Sequence, residues 1–270
     1  MTTQPGTWLA TAQSQLLTLA GGFLRNTRHI EGVTCGLCMG MPGEGWNDCR
    51  DCRAMMRRDD LSDRLGFATY AIKGQQSGYT MHGYKNPNPG PTHWTTVQLL
   101  AGVSLHRHWD CLTSPTHGRP THWATVPSLG GRVGDHPLEQ IVAPILANLT
   151  HHPMSAAQTI RDPRGIHPEN FVTTPLDEVH VLLVDDTWTR GGHAQSVAAA
   201  LKQAGAGFVT TFVLARWIDP QWDNTASVIR EHLSGDFDPN YCPFTGALCS
   251  SGWPSRPEHH PGPEVAGEGP

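Results

Sequence analysis

The stretch Val181-Leu-Leu-Val-Asp-Asp-Thr-Trp-Thr-Arg-Gly-Gly-His193 decides how this chain is read. Its apolar part begins at Val179, is broken only by His180, and carries valine at three positions. A short run of this kind is a strand buried on both faces, which belongs to a parallel sheet covered by helices. It ends in Asp185-Asp186, and two adjacent carboxylates are costly to bury. They must meet solvent, a cation or hydroxyl groups at the C-terminal edge of the sheet, where open α/β folds bind ligands. A vicinal diol suits them, each carboxylate accepting a charge-assisted bond from one hydroxyl. Gly191-Gly192 then lets backbone approach a ligand just before a helix, whose free N–H groups and dipole favour phosphate. Diol-binding acids beside a phosphate cradle describe a ribose 5-phosphate site. Acids at a strand end also occur in Walker B segments and phosphoryl-receiver domains. No GxxxxGK[ST] stands upstream here, and a receiver carries its acids near the N-terminus of a shorter domain.

Downstream, residues 192–204 have the composition of a helix, Gly205 suits its stop, and Phe208 to Ala215 returns as a buried strand. Strand, helix and parallel strand make a βαβ unit, so an α/β domain with a mostly parallel sheet flanked by helices is expected. Upstream, the pattern predicts a strand over Leu65–Ile72, a Gly- and Asn-Pro-rich loop over Gly83–Pro91, and a helix over His93–Trp109. A strand and turn follow at Thr121–Gly131, then a helix over His136–Leu149. Residues 150–169 are polar and aperiodic, which predicts a long loop, and long loops in compact domains tend to be functional. Thr225–Leu233 reads as helical, and the Pro-, Gly- and Glu-rich tail from Ser251 as disordered.

Composition narrows the function classes. The formal net charge of -5 and pI of about 6.3 give no global attraction to nucleic acid or anionic membrane. Trp8, Leu9, Leu16, Leu17, Leu19, Phe23 and Leu24 are interrupted by polar residues and preceded by no basic region. They predict an amphipathic N-terminal helix, not a signal peptide or membrane span, so cytoplasmic residence is expected.

Cys35-Gly-Leu-Cys38 and Cys49-Arg-Asp-Cys52 form a CxxC-x10-CxxC pattern. Each CxxC turn aims two thiolates at one point, and two turns complete a tetrahedral site, so structural zinc is expected. Arginines 50, 53, 57 and 58 are interleaved with aspartates 48, 51, 59 and 60, the mixture of a solvated surface more than of a DNA footprint. Cys242 and Cys249 offer a metal half-site, but two ligands are too few and their spacing is not diagnostic. Cys111 reads as a buried thiol, and His106 and His108, two apart on a helix, point to different faces.

The segment VLLVDDTWTRGGH resembles the phosphoribosyl pyrophosphate (PRPP) signature of type I phosphoribosyltransferases. The four-cysteine knuckle, Gly83-Tyr84-Lys85, the Val126-Pro127 loop and this motif, in that order, resemble the ComF-type, competence-associated branch, over roughly Cys35 to Arg216. The resemblance implies a type I phosphoribosyltransferase fold, with an N-terminal helix and a small zinc-knuckle appendage. It implies that Asp185 and Asp186 hold the ribose hydroxyls and that Thr189, Arg190, Gly191, Gly192 and His193 hold the 5-phosphate. Where the family commonly has hydroxyl residues, Arg190 and His193 stand here. Pro127, Ser128, Leu129, Gly130, Gly131 and Arg132 correspond to the loop that grips pyrophosphate with magnesium. Arg161 and Arg164 lie in the counterpart of a mobile loop that closes over PRPP, and Lys73 and Lys85 are weaker candidates.

The implied reaction is transfer of phosphoribosyl from PRPP to a nitrogen acceptor, releasing pyrophosphate, with magnesium and structural zinc as cofactors. A non-catalytic PRPP or nucleotide sensor and a competence-type nucleic-acid-handling protein are the alternatives. The expected units are 1–62 (helix and knuckle), 63–240 (phosphoribosyltransferase-like domain) and 241–270 (extension and tail). The sequence names neither the acceptor nor an oligomeric state.

Overall fold

The computed structural model describes residues 5–130, 136–222 and 224–249; the tail from Ser251 lies outside the described residues. In chain order, α1 (Pro5–Leu16) runs on into a π turn (Leu17–Gly21), and α2 (Arg50–Met55) closes the cysteine-rich segment. Then come β1 (Arg64–Ile72), α3 (Gln76–Gly83), α4 (Pro91–Arg107), β2 (His122–Thr125) and α5 (Pro137–Val142). After them stand β3 (Thr150–His151), β4 (Ser155–Ala156), β5 (Phe171–Val172), β6 (His180–Trp188), α6 (Gly192–Gln203), β7 (Phe208–Ile218) and α7 (Thr225–His232).

Five strands form one sheet in the order β1-β7-β6-β2-β3, every pair parallel. This is an α/β fold with a largely parallel sheet flanked by helices. The alternation of side chains along a strand explains the layers. Leu182 and Val184 of β6 pack with α1, α4 and α5 through Leu16, Leu100 and Ile141. Val181 and Leu183 point the other way, toward Val197 and Leu201 of α6 and the buried Cys35, Cys38 and Cys52. With both faces covered, the central strand must be apolar throughout, as its sequence is.

Three expectations need correction. The helix expected over 136–149 ends at Val142, because Pro144 has no N–H to continue the ladder and crowds the preceding turn. The loop expected over 150–169 is partly built: Thr150–His151 pairs with β2, and Ser155–Ala156 pairs antiparallel with Phe171–Val172. Side chains hold it in place of apolar periodicity. Asn170 Oδ1 accepts from the Arg161 N–H at 2.7 Å, and His152 Nε2 meets Thr173 Oγ1 at 2.6 Å. The acidic pair, expected to end its strand, lies inside β6, which runs two residues further to Trp188. That strand keeps β7 as a partner to Trp188, whereas its pairing with β2 stops at Val184.

This unequal pairing positions the site. The chain leaves β2 outward toward β3 and leaves β6 in the opposite direction toward β7, so the crevice between β2 and β6 is a topological switch point.

Candidate functional site

A cavity of about 680 Å³ occupies that crevice, within the range of small-molecule sites. Its floor is Asp185 and Asp186, and one wall is the turn Thr189, Arg190, Gly191, Gly192 leading into His193. Pro127, Ser128, Leu129 and Gly130, after β2, form the facing wall. Gly131 and Arg132, expected in the same loop, lie outside the described residues. Arg164 reaches the cavity, whereas Arg161 turns to Glu169 at 3.0 Å. Lys73 is engaged elsewhere, with Asp219 at 2.6 Å.

The glycines of the turn are required by the geometry. Gly191 caps α6 with φ of 84°, a left-handed conformation open to glycine, and a Cβ there would collide with the Trp188 ring. A Cβ on Gly192 would lie 2.7 Å from the Arg164 carbonyl oxygen, so the 157–170 segment sits directly on the start of α6. Gly192, His193 and Ala194 at the start of α6, where helical N–H groups lack intrahelical partners, line a cavity that also holds Lys85, Arg164 and Arg190. An anion with several oxygens fits that wall, and a neutral polyol fits the acidic floor.

The two carboxylates differ in their partners. Asp186 is buried, and its Oδ2 accepts from Tyr84 Oη at 2.6 Å and pairs with Lys85 Nζ at 2.7 Å. Burial works against its charge, but Lys85 and the Tyr84 hydroxyl hold its carboxyl below the usual range. His136 Nε2 stands 3.9 Å away, its Nδ1 accepting from the Leu138 N–H at the start of α5. Asp185 Oδ1 accepts the Asp186 N–H at 2.9 Å. Burial and the adjacent Asp186 charge push the Asp185 carboxyl up to about 8.

Tyr84 and His136 were not among the expected site residues, and Lys85 was a weaker candidate. Tyr84-Lys85 carried a signal, since the pair ends α3 at the mouth of a Gly- and Asn-Pro-rich loop. His136 carried none, histidine being an uncommon N-cap.

Behind the turn lies the cysteine cluster. Ligand atoms of Cys35, Cys38, Cys49 and Cys52 all fall within 4.8 Å of one another, a largely buried arrangement capable of chelating a metal. Hydrogen bonding with Cys35 and the other sulfurs pulls the Cys38 thiol down, while the same contacts push Cys52 up. Four sulfurs this close share negative charge poorly, a conflict that a divalent cation relieves. Arg216 of β7 connects the cluster to the cavity wall. Its buried guanidinium donates to the carbonyls of Cys38 at 3.2 Å, Trp188 at 3.1 Å and Thr189 at 2.9 Å.

No protein-family model matches the chain, and no curated protein matches it in sequence. Among solved structures it bears a distant resemblance to phosphoribosyltransferases. A purine phosphoribosyltransferase from Pyrococcus horikoshii Ot3 is 15% identical over 48% of this chain and 90% of that one, with a TM-score of 0.31. Adenine phosphoribosyltransferases from Leishmania tarentolae and Leishmania donovani are each 18% identical over 56% of this chain. They are covered over 74% and 68% of their lengths, with TM-scores of 0.33 and 0.34. No helix among the described residues is long and apolar enough to cross a membrane.

Proposed function

We propose that this chain is a phosphoribosyltransferase that binds PRPP with magnesium and transfers the phosphoribosyl group to a nitrogen acceptor. The observation that carries this reading is the meeting of acidic pair, glycine turn and Pro127–Gly130 loop around one cavity at the switch point. In the proposed complex, Asp185 and Asp186 accept hydrogen bonds from the ribose 2- and 3-hydroxyls. The N–H groups of the turn and the first turn of α6 hold the 5-phosphate, with Arg190 adding charge. Backbone N–H groups of the Pro127–Gly130 loop take the pyrophosphate, and Lys85 is close enough to contribute.

The bond from the anomeric carbon to pyrophosphate breaks as the acceptor nitrogen bonds to that carbon, and pyrophosphate leaves with the electron pair. Magnesium, when bound with PRPP, neutralises charge on the leaving group. The protein's part is positioning and water exclusion, the latter by the segment carrying Arg164. Structural zinc in the four-cysteine cluster holds the turn from behind. We place this activity in the cytoplasm.

One observation favours a sensor as the second reading: Asp186 is already neutralised by Lys85 and Tyr84, an arrangement that suits binding without turnover. Incubating the protein with PRPP and magnesium, and assaying pyrophosphate release across bases and amines, separates the two. Release with one acceptor supports transfer; binding that stays inert with every acceptor supports the sensor.

A further inference from the structure

Cys242 and Cys249, a two-ligand half-site in the sequence, are joined in the fold by two more ligands, His108 and Cys111. Atoms of His108, Cys111, Cys242 and Cys249 all lie within 4.8 Å of one another. The sulfurs of Cys111 and Cys249 are 3.5 Å apart although 138 residues separate them in the chain. A tetrahedral ion about 2.3 Å from each sulfur spaces its ligands by roughly 3.8 Å, so the cluster is already near metal-binding dimensions.

The expected separation of His106 and His108 onto different faces does not decide the matter, because α4 ends at Arg107. His108 caps the helix, and the next residues form a 3-10 turn, Trp109–Leu112, which swings Cys111 back beside it. The other half is a small hairpin. Tyr241 bridges Leu248, the Cys242 N–H donates to the Ala247 carbonyl at 2.8 Å, and Gly246 turns the chain with φ of 63°. That hairpin brings Cys242 and Cys249 to one point.

His108 supplies the second, independent observation. The residue is 3% exposed, and its Nε2 contacts the Pro239 carbonyl at 2.9 Å. A carbonyl can only accept, so Nε2 carries the proton and Nδ1 keeps its lone pair. Nδ1 is buried and has no hydrogen-bond partner among the described residues. An orphaned acceptor of this kind is costly, and a ring nitrogen oriented by a carbonyl on its far side is how metal-bound histidines are held.

We infer that His108 Nδ1 and the thiolates of Cys111, Cys242 and Cys249 form a second metal site of the Cys3His type, suited to zinc. Thiolate-rich tetrahedral sites select zinc over harder cations. Four protein ligands leave no open position, so the ion is structural. It clamps the end of α4 to the C-terminal extension, which covers the outer edge of β1 next to the Asn26–Thr69 bridge. There the Phe67 N–H donates to the Pro243 carbonyl at 2.9 Å, and the Phe244 ring fills the space a Cβ on Gly66 would need. The inference does not depend on what the cavity between β2 and β6 binds.

The test uses the full chain purified anaerobically with reductant. Two zinc ions per chain are expected by mass spectrometry, with X-ray absorption at the zinc edge giving seven sulfurs to one nitrogen across both sites. Cys242→Ser and, separately, Cys38→Ser should each lower the count to one. A wild-type chain with one zinc in an all-sulfur shell would overturn the inference. So would one zinc with Cys111 and Cys249 joined as a disulfide, or two zincs retained in Cys242→Ser. If the variants do not fold, the wild-type count and ligand shell still decide.

Discussion

Asp186 is held ionised by Lys85 and Tyr84, while burial beside that charge leaves Asp185 protonated up to about pH 8. A carboxyl that titrates near 3.8 in the unfolded chain and near 8 in the native one binds more protons folded than unfolded between those values. Native stability therefore falls as pH rises through that window. Asp185→Asn removes the slope, so calorimetry from pH 5 to 8 should give a flatter Tm than in wild type. Asp186 works in the opposite sense: its lowered value contributes stability above the unfolded range, which is lost as pH falls through the native value. Lys85→Met takes away the cation and should destabilise the protein by about 1–3 kcal/mol at neutral pH, read by urea denaturation. The identity of the two acids was legible from residues 181–193 alone. Their inequality was not, because Tyr84 stands 102 residues away and only the fold brings its hydroxyl to the carboxylate.

The strand–turn–helix unit β6–α6–β7 follows the sequence closely, since an apolar run, two glycines and a helix-forming segment all favour one local answer. Helix α4 was legible from its apolar stripe through Val97, Leu100 and Leu105, but not at its ends: Pro91 was assigned to the preceding loop, and the helix stops at Arg107, two residues before the expected Trp109. The 150–172 region was not, because its short strands are pinned by Asn170 and His152 side chains and show no period. At the turn, Gly191→Ala forces a left-handed residue and a collision with Trp188. It should cost about 1–3 kcal/mol in chemical denaturation. Phosphate affinity, read by calorimetric titration, should fall with it, since the α6 N-terminus moves.

Across the whole molecule, the four-cysteine cluster and the cavity are separate sites that Arg216 connects, with Arg190 also facing Asp51 of α2 at 4.0 Å. Arg216 donates to Cys38 on one side and to Trp188 and Thr189 on the other, so the cluster braces the turn without lining the cavity. Arg216→Met deprives several buried carbonyls of their donor, at about 1–3 kcal/mol each, and should destabilise the protein by about 3 kcal/mol or more in denaturant. If the four-cysteine cluster holds zinc as proposed, removing that metal should weaken the proposed PRPP binding several-fold in titration calorimetry. The cluster was legible from CxxC-x10-CxxC, but its brace was not, because an arginine in a strand carries no such signature. The central claim is that the acidic pair and the glycine turn together hold a phosphorylated ribose. Titration calorimetry of PRPP with magnesium, on wild type, Asp185→Asn and Asp186→Asn, tests it most directly. Wild type should bind, and Asp186→Asn should bind roughly 10- to 150-fold more weakly, equivalent to about 1.5–3 kcal/mol for a charge-assisted bond, while Asp185→Asn, replacing a carboxyl that is neutral at pH 7, should lose about 0.5–1.5 kcal/mol. A wild-type protein that does not bind PRPP, or variants that bind as tightly as wild type, would contradict it.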